Sequence, residues 1–264
     1  MSVLIDLKRV SARLNGVDIL SDINFQIEKG QHWAIVGESG SDKTSLANAI
    51  IGRIFHSGEV LIAPSLSIQL IQQQHRFKTL SNTSDFYYQQ RFQSQDSEDS
   101  LTIEQELEQE LAENYEATQG WLKQLKLDNK LLEPLIQLSN GENKRLQLVK
   151  SLLHQPDILI LDNPFVGLDV EGRSILHTII EELASKGIHL VIITNTQNLP
   201  SCITNILQLE KGKQVFCGLK KDFSPDKISW LEELVSDQLV SQIPMPVFPE
   251  FDIAIKMVDV TVKY

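Results

Sequence analysis

The chain has 264 residues, 42% of them hydrophobic, with 35 acidic against 24 basic side chains and a net charge of −11. That length holds one large α/β domain or two small ones, and the acidic balance argues against a nucleic-acid surface, which needs a basic face. There is no apolar run of 18 residues, no apolar leader with a cleavage site in MSVLIDLKRV, and no disulfide or metal spacing in Cys202 and Cys217. A reducing, cytoplasmic setting is expected, with any membrane reached through a partner.

Residues 2–36 have the pattern of strands. Ile5, Leu7 and Val10 begin one, and Ile23-Asn24-Phe25-Gln26-Ile27 alternates apolar with polar, as a half-buried strand does. Trp33-Ala34-Ile35-Val36 is continuously apolar, as expected of a central strand covered on both faces. Gly37-Glu38-Ser39-Gly40-Ser41-Asp42-Lys43-Thr44, followed by Ser45, resembles the phosphate-binding loop GxxxxGK[ST]. Gly37 and Gly40 let the backbone bend its N–H groups toward a phosphate. Lys43 can reach the β/γ-phosphates, Thr44 can offer its hydroxyl to Mg²⁺, and the helix from Thr44 to about Ile51 points its N-terminus at the same anion. One departure stands out: Asp42 replaces the glycine before the lysine. A carboxylate there repels a polyphosphate by roughly 4 kcal/mol at about 4 Å and an effective dielectric near 20.

Glu59–Leu61 and Ser67–Leu70 are short predicted strands, followed by Gln72-Gln73-Gln74. From His75 to about Gln137 the pattern becomes helical. In LTIEQELEQEL, Ile103, Leu107 and Leu111 recur every four residues and make one apolar face, and Trp121, Leu122 and Leu125 mark another helix. Leu138-Ser139-Asn140-Gly141-Glu142 then opens a helix of about four turns. Ser139-x-x-Glu142 is a capping box, and the same letters put a hydroxyl and an approachable N–H at the helix's positive end. After a turn at Gln155-Pro156, a buried strand from Ile158 to Leu161 ends in Asp162. Val170–Lys186 is an amphipathic helix, His189–Thr194 a strand, and Ile206–Leu209 with Gln214–Phe216 a hairpin around Lys211-Gly212.

In order and spacing these motifs resemble an ATP-binding cassette (ABC) nucleotide-binding domain over about residues 3–218. The resemblance implies an α/β P-loop NTPase core, with a mixed sheet, an N-terminal antiparallel β subdomain and an α-helical subdomain at about residues 76–140. Leu138–Glu142 is similar to the signature LSGGQ, and Gly167-Leu168-Asp169 to the D-loop, whose Asp169 faces a dimer partner. The cofactors implied are ATP and Mg²⁺, the metal held by Thr44, Asp162 and the glutamine that ends its strand, taken as Gln74. Where the family keeps a glutamate general base this chain has Asn163. Where it keeps a γ-phosphate histidine it has Asn195, and where it keeps an adenine-stacking aromatic it has Leu14. An asparagine cannot take a proton from water.

Residues 219–250 are polar and Pro-interrupted, as a linker is. Residues 255–264 line up with 5–14 at an offset of 250, which makes residues 251–264 the expected start of a second cassette. The implied architecture is a tandem cassette similar to the subgroup named for molybdenum transport or photorepair. Its partners would be a second cassette, on the same chain or as a homodimer mate, and membrane-transport subunits at the inner face of the plasma membrane. The four departures all fall on this chain's own site, while Ser139 and Gly141 would complete the partner's. The competing expectation is a P-loop interaction module that binds no ATP.

Overall fold

The computed structural model describes residues 2–73, the backbone of 76–78 and 85–87, and residues 100–224. Residues 225–250 of the proposed linker, the second-cassette start and Gln74 lie outside the described residues; at its start, Leu219 still belongs to a strand and Lys220–Asp222 form a single turn.

The N-terminal strands form because their apolar positions alternate. β1 (Val3–Leu14) turns through Asn15-Gly16 into β2 (Val17–Glu28), and the two pair antiparallel. Ile5, Leu7, Val10 and Ala12 face the same core as Leu20, Ile23, Phe25 and Ile27. The step of three from Leu7 to Val10 would flip the face of a regular strand. A register shift falls between those two residues, with Arg9 at φ 51°, and the bulge restores the inward set.

β3 (Trp33–Val36) leads through the phosphate loop into α1 (Lys43–Ile50), and β4 (His56–Ile62) returns to pair with β1. Beyond them come β5 (Ile68–Ile71), β6 (Arg76–Lys78) and β7 (Asp85–Tyr87), then α2 (Ile103–Glu106), α3 (Glu108–Glu113), α4 (Tyr115–Gln124) and α5 (Asn140–Leu153). β8 (Ile158–Asp162), α6 (Val170–Ser185), β9 (His189–Ile193), β10 (Asn205–Glu210) and β11 (Lys213–Leu219) complete the unit, which is compact through Phe223. Nine strands make one mixed sheet in the order β4-β1-β2-β11-β10-β3-β9-β8-β5. β10, β3, β9, β8 and β5 run parallel within it.

Both faces of the parallel part are buried, so its strands are apolar throughout. Ile35, Ile158, Ile160, Val191 and Ile193 pack with α1 and the N-terminal strands. Val36, Leu159, Leu161, Leu190 and Ile192 pack on the other face with α5, α6 and the helical subdomain. The mixed α/β fold implied by the resemblance is the fold observed.

Two expectations are corrected. The stretch after His75 is not helical throughout: Arg76–Lys78 and Asp85–Tyr87 pair as antiparallel strands, and among the described residues the first helix after them is Ile103–Glu106. Arg-Phe-Lys and Asp-Phe-Tyr set β-favouring aromatics beside charged residues, a local preference stronger than the surrounding polar bias toward helix. LTIEQELEQEL is also not one helix. Leu107 leaves helical geometry at φ −107°, ψ 16° and separates α2 from α3. Its side chain and that of Ile103 are still fully buried, so the predicted face survives the break.

At the N-terminal ends of β3 and β9, two imidazoles act as acceptors for backbone N–H groups. Gly30 N–H donates to His189 Nε2 at 3.0 Å and Leu190 N–H to His32 Nδ1 at 3.2 Å, and the rings stack with centroids 6.2 Å apart. Burial, and then His189, hold His32 below the ordinary histidine range against the pull of Glu181. A depressed histidine contributes stability that is full above its unfolded value near 6.5 and is lost as pH falls below that toward the folded value. Burial also depresses His177, which stacks on Phe165, so it acts in the same window. Denaturant titrations should therefore show stability falling from pH 7.5 to 5.5. His32→Asn, whose Oδ1 keeps an acceptor for Leu190 N–H, should remove roughly half of that slope, His32 being one of two depressed histidines among the described residues. An unchanged slope would exclude His32 as a source.

Candidate functional site

The carboxyl ends of β3, β8 and β9 open on one cleft of about 640 Å³. This is where a parallel sheet presents loops to a ligand. The phosphate loop enters from β3. Gly37 sits at φ 147°, and a Cβ there would meet Leu209 O at 2.2 Å, so only glycine fits. Asp42 also takes a left-handed conformation, φ 66°, as the residue before α1. It is half-buried and lines the cleft, and its Oδ1 accepts from Ser45 Oγ at 3.3 Å. Gly40, Ser39, Lys43, Thr44 and Ser45 line the same cleft. Glu38 is exposed beside it and Ser41 is buried beneath the loop.

Lys43 folds back on its own loop. Its ammonium donates to Gly37 O at 3.0 Å, to Glu38 O and to Ser41 Oγ at 3.1 Å. Burial lowers its affinity for the proton, with Asp162, Asp42 and Glu38 opposing. Asp162 ends β8 and is 3% exposed. Thr44 Oγ1 donates to its Oδ2 at 2.8 Å, which brings together the hydroxyl and carboxylate taken from sequence as metal ligands. Two hard oxygen donors beside a phosphate loop fit Mg²⁺. Bound there, the ion would neutralise phosphate charge.

Asn163 follows at φ 46°, a left-handed value that asparagine tolerates better than most residues. Its amide donates to Asp162 Oδ1 at 3.0 Å and to Gln73 Oε1 at 3.1 Å. Gln73 therefore joins the cleft; a run of three like side chains gave the sequence no way to rank it against Gln74. Asn195, just past β9, lines the cleft as well, and its Oδ1 accepts from Asn198 Nδ2 at 2.8 Å. Leu14 is 58% exposed at the tip of the β1–β2 hairpin and offers no aromatic face.

A second residue escaped the sequence. Lys144 on α5 is 8% exposed, and its ammonium donates to Gln73 O at 3.1 Å. Burial pulls it down to about 8, with Asp162 opposing, so it is mostly charged at neutral pH. The available signal was helical spacing, because Lys144 lies four residues before the buried Leu148 and shares its face.

The signature-like residues do not line this cleft. Ser139 caps α5: its Oγ accepts from Glu142 N–H at 3.2 Å, and Glu142 Oε2 accepts from Ser139 N–H at 2.7 Å, the capping box expected. Lys130 pairs with Glu142 at 2.9 Å and with Glu133 at 3.0 Å. Burial opposes ionisation of Glu142, but hydrogen bonds from Lys130 and Ser139 outweigh it and hold the carboxyl down at about 2. Leu138 is buried in the core, and a Cβ at Gly141 would make only ordinary contacts, 3.8 Å from Arg145 Nη1 and from Leu168 Cδ2. Asn140 Nδ2 donates to Gly167 O at 2.9 Å and so ties this loop to the D-loop-like turn. Asp169 there accepts from Gly172 N–H at 2.8 Å and caps α6.

The ABC transporter family model matches residues 20–166. An uncharacterized ABC transporter ATP-binding protein of Schizosaccharomyces pombe is 27% identical over 226 residues, 78% of this chain but 45% of that protein. The chain thus spans under half of that relative's length. The zinc import ATP-binding protein ZnuC 1 of Hahella chejuensis is 30% identical over 207 residues, 74% of this chain and 73% of that protein. Among solved structures, CbiO1 of Clostridium perfringens, part of the ABC transporter complex cbiONQ, matches with TM-score 0.68 and 21% identity over 90% of this chain and 98% of its own. MJ1267, an ATP-binding cassette of an ABC transporter, matches with TM-score 0.66 and 18% identity over 84% and 93%. Among the described residues no helix is long and apolar enough to cross a membrane. A family match over more than half of the sequence, with the fold to go with it, makes the chain a member of the ABC transporter family and an ATP-binding domain within it.

Proposed function

We propose that this chain is an ATP-binding subunit whose own nucleotide site is degenerate and hydrolyses ATP weakly. Its signature loop, Ser139 to Glu142, would complete the ATP site of a second cassette, on the same polypeptide or as a homodimer mate. The observation that carries the reading is Asn163: an amide bridges Asp162 and Gln73 at the place where a carboxylate would have to take a proton from water. The contrast with the other loop supports it. Ser139 is held by a complete capping box, a 2.9 Å ion pair and the Asn140–Gly167 bond, so it is pre-organised to meet a phosphate from outside this chain. A tandem arrangement similar to the molybdenum-transport/photorepair subgroup fits, as does pairing with membrane subunits on the cytoplasmic side, in the manner of a metal-ion importer.

One observation favours the other reading, a P-loop module that binds no ATP: Lys43 spends its donors on Gly37, Glu38 and Ser41. Calorimetry with ATP and Mg²⁺ separates the two, since heat of binding excludes the empty module. For the role in trans, Ser139→Arg in the paired assembly should lower hydrolysis at least about tenfold, the scale of losing a positioned phosphate donor. Hydrolysis untouched by that change would exclude the signature role.

A further inference from the structure

Asp162 is unusually well supplied with partners. Both carboxylate oxygens already accept hydrogen bonds, one from Thr44 and one from the Asn163 amide. Asn163 also reaches Gln73 Oε1, and the ammonium of Lys144 sits under the same residue on Gln73 O. Lys144 is buried from α5, away from solvent that would screen it. Burial raises the Asp162 carboxyl, and the hydrogen bond from Thr44, the charges of Lys144 and Lys43 and the Asn163 amide offset only part of that rise. A divalent cation approaching Thr44 and Asp162 must displace donors from the carboxylate and come close to a buried positive charge. A nucleotide polyphosphate meets the opposite situation, because that charge favours it.

On the reading that the cleft takes nucleotide, we propose that this site holds ATP with little dependence on a divalent cation, the Lys144 ammonium and the Asn163 amide doing for Asp162 what the metal would otherwise do. The donor oxygens are of the kind Mg²⁺ uses; the charge and the hydrogen bonds around them weaken its hold. Lys144 is a positioning and charge-compensating residue here and touches no reacting atom.

The test uses the whole chain, ATP, and Mn²⁺ as a spectroscopic stand-in for Mg²⁺. Calorimetry compares ATP binding in excess Mg²⁺ with binding in EDTA, and electron paramagnetic resonance counts free Mn²⁺ in the ternary mixture. The wild-type chain should bind ATP within about threefold under both conditions. Lys144→Gln, which keeps an amide donor for Gln73 O, should tighten Mn²⁺ binding at least about tenfold, as expected for removing one charge at several ångströms. It should also make ATP binding depend on the metal. Asn163→Ala, which frees Asp162 Oδ1, should shift Mn²⁺ affinity the same way and guards against a folding effect peculiar to one variant. A tenfold or greater loss of wild-type ATP affinity in EDTA overturns the inference, as does unchanged Mn²⁺ affinity in both variants. Absence of ATP binding under both conditions overturns the nucleotide reading beneath it and this inference together.

Discussion

Replacing Asp42 with glycine should tighten ATP binding in Mg²⁺ by about ten- to a thousand-fold, read by calorimetry, and the reason is charge before it is shape. Two like charges about 4 Å apart at an effective dielectric near 20 repel by roughly 4 kcal/mol, an upper figure for a residue only half-buried at the rim of the cleft. Lys43, the next residue, offsets part of the repulsion, and that brings the lower bound to about a factor of ten. Shape adds a second effect. Asp42 stands at φ 66°, where a residue with a Cβ is strained by about 1–2 kcal/mol and glycine is not. The glycine variant should therefore also be more stable without nucleotide, less the contribution of the 3.3 Å bond from Ser45. Asp42→Asn separates the two effects, since it removes the charge and keeps a side chain that tolerates the left-handed region. Asparagine should recover most of the affinity and little of the stability; glycine should recover both. ATP affinity unchanged in either variant would mean that phosphate does not lie against this loop.

The parts of the fold set by local pattern were readable. Trp33–Val36, Ile158–Leu161 and Leu190–Ile193 each carry the continuous apolar run of a strand buried on both faces, and each lies in such a strand. The cleft followed from them, because the phosphate loop, Asp162 and Asn195 stand at the ends of those strands. What escaped depends on contacts between distant residues. Lys144 lies in a stretch, Lys144-Arg145-Leu146-Gln147, whose charges look solvated. Once buried, its ammonium is satisfied by the Gln73 carbonyl, 71 positions earlier. The bond from Asn140 to Gly167 crosses 27 positions and joins two loops that the sequence presents as separate motifs. The left-handed backbones of Asp42 and Asn163 are set by the turns they occupy, and neither residue type demands that conformation.

Restoring a glutamate at Asn163 should not by itself restore hydrolysis. In single-turnover assays of the paired assembly, Asn163→Glu should gain less than about tenfold, well short of the 10²–10⁴ that a positioned general base supplies. The surroundings of Asn163 explain the shortfall. Its amide makes two donations, to Asp162 Oδ1 and Gln73 Oε1, and a glutamate turns both into contacts between acceptors. The new carboxylate lies beside that of Asp162, and the like charge favours protonation of one of the pair, which weakens it as a base. The left-handed backbone at φ 46° suits asparagine and strains glutamate. Also lining the cleft, Asn195 is committed to Asn198 at 2.8 Å and supplies no imidazole toward the phosphate. These defects belong to one cluster, so repairing them together should exceed the sum of separate repairs. The triple variant Asp42→Gly, Asn163→Glu, Asn195→His should reach about 10²–10⁴ over the wild-type rate, the scale of a working base. Single turnover at saturating ATP keeps the comparison on chemistry, so tighter binding from Asp42→Gly cannot imitate the gain. Should Asn163→Glu alone deliver the whole factor, the other departures would be incidental and the site only one residue away from an ordinary ATPase.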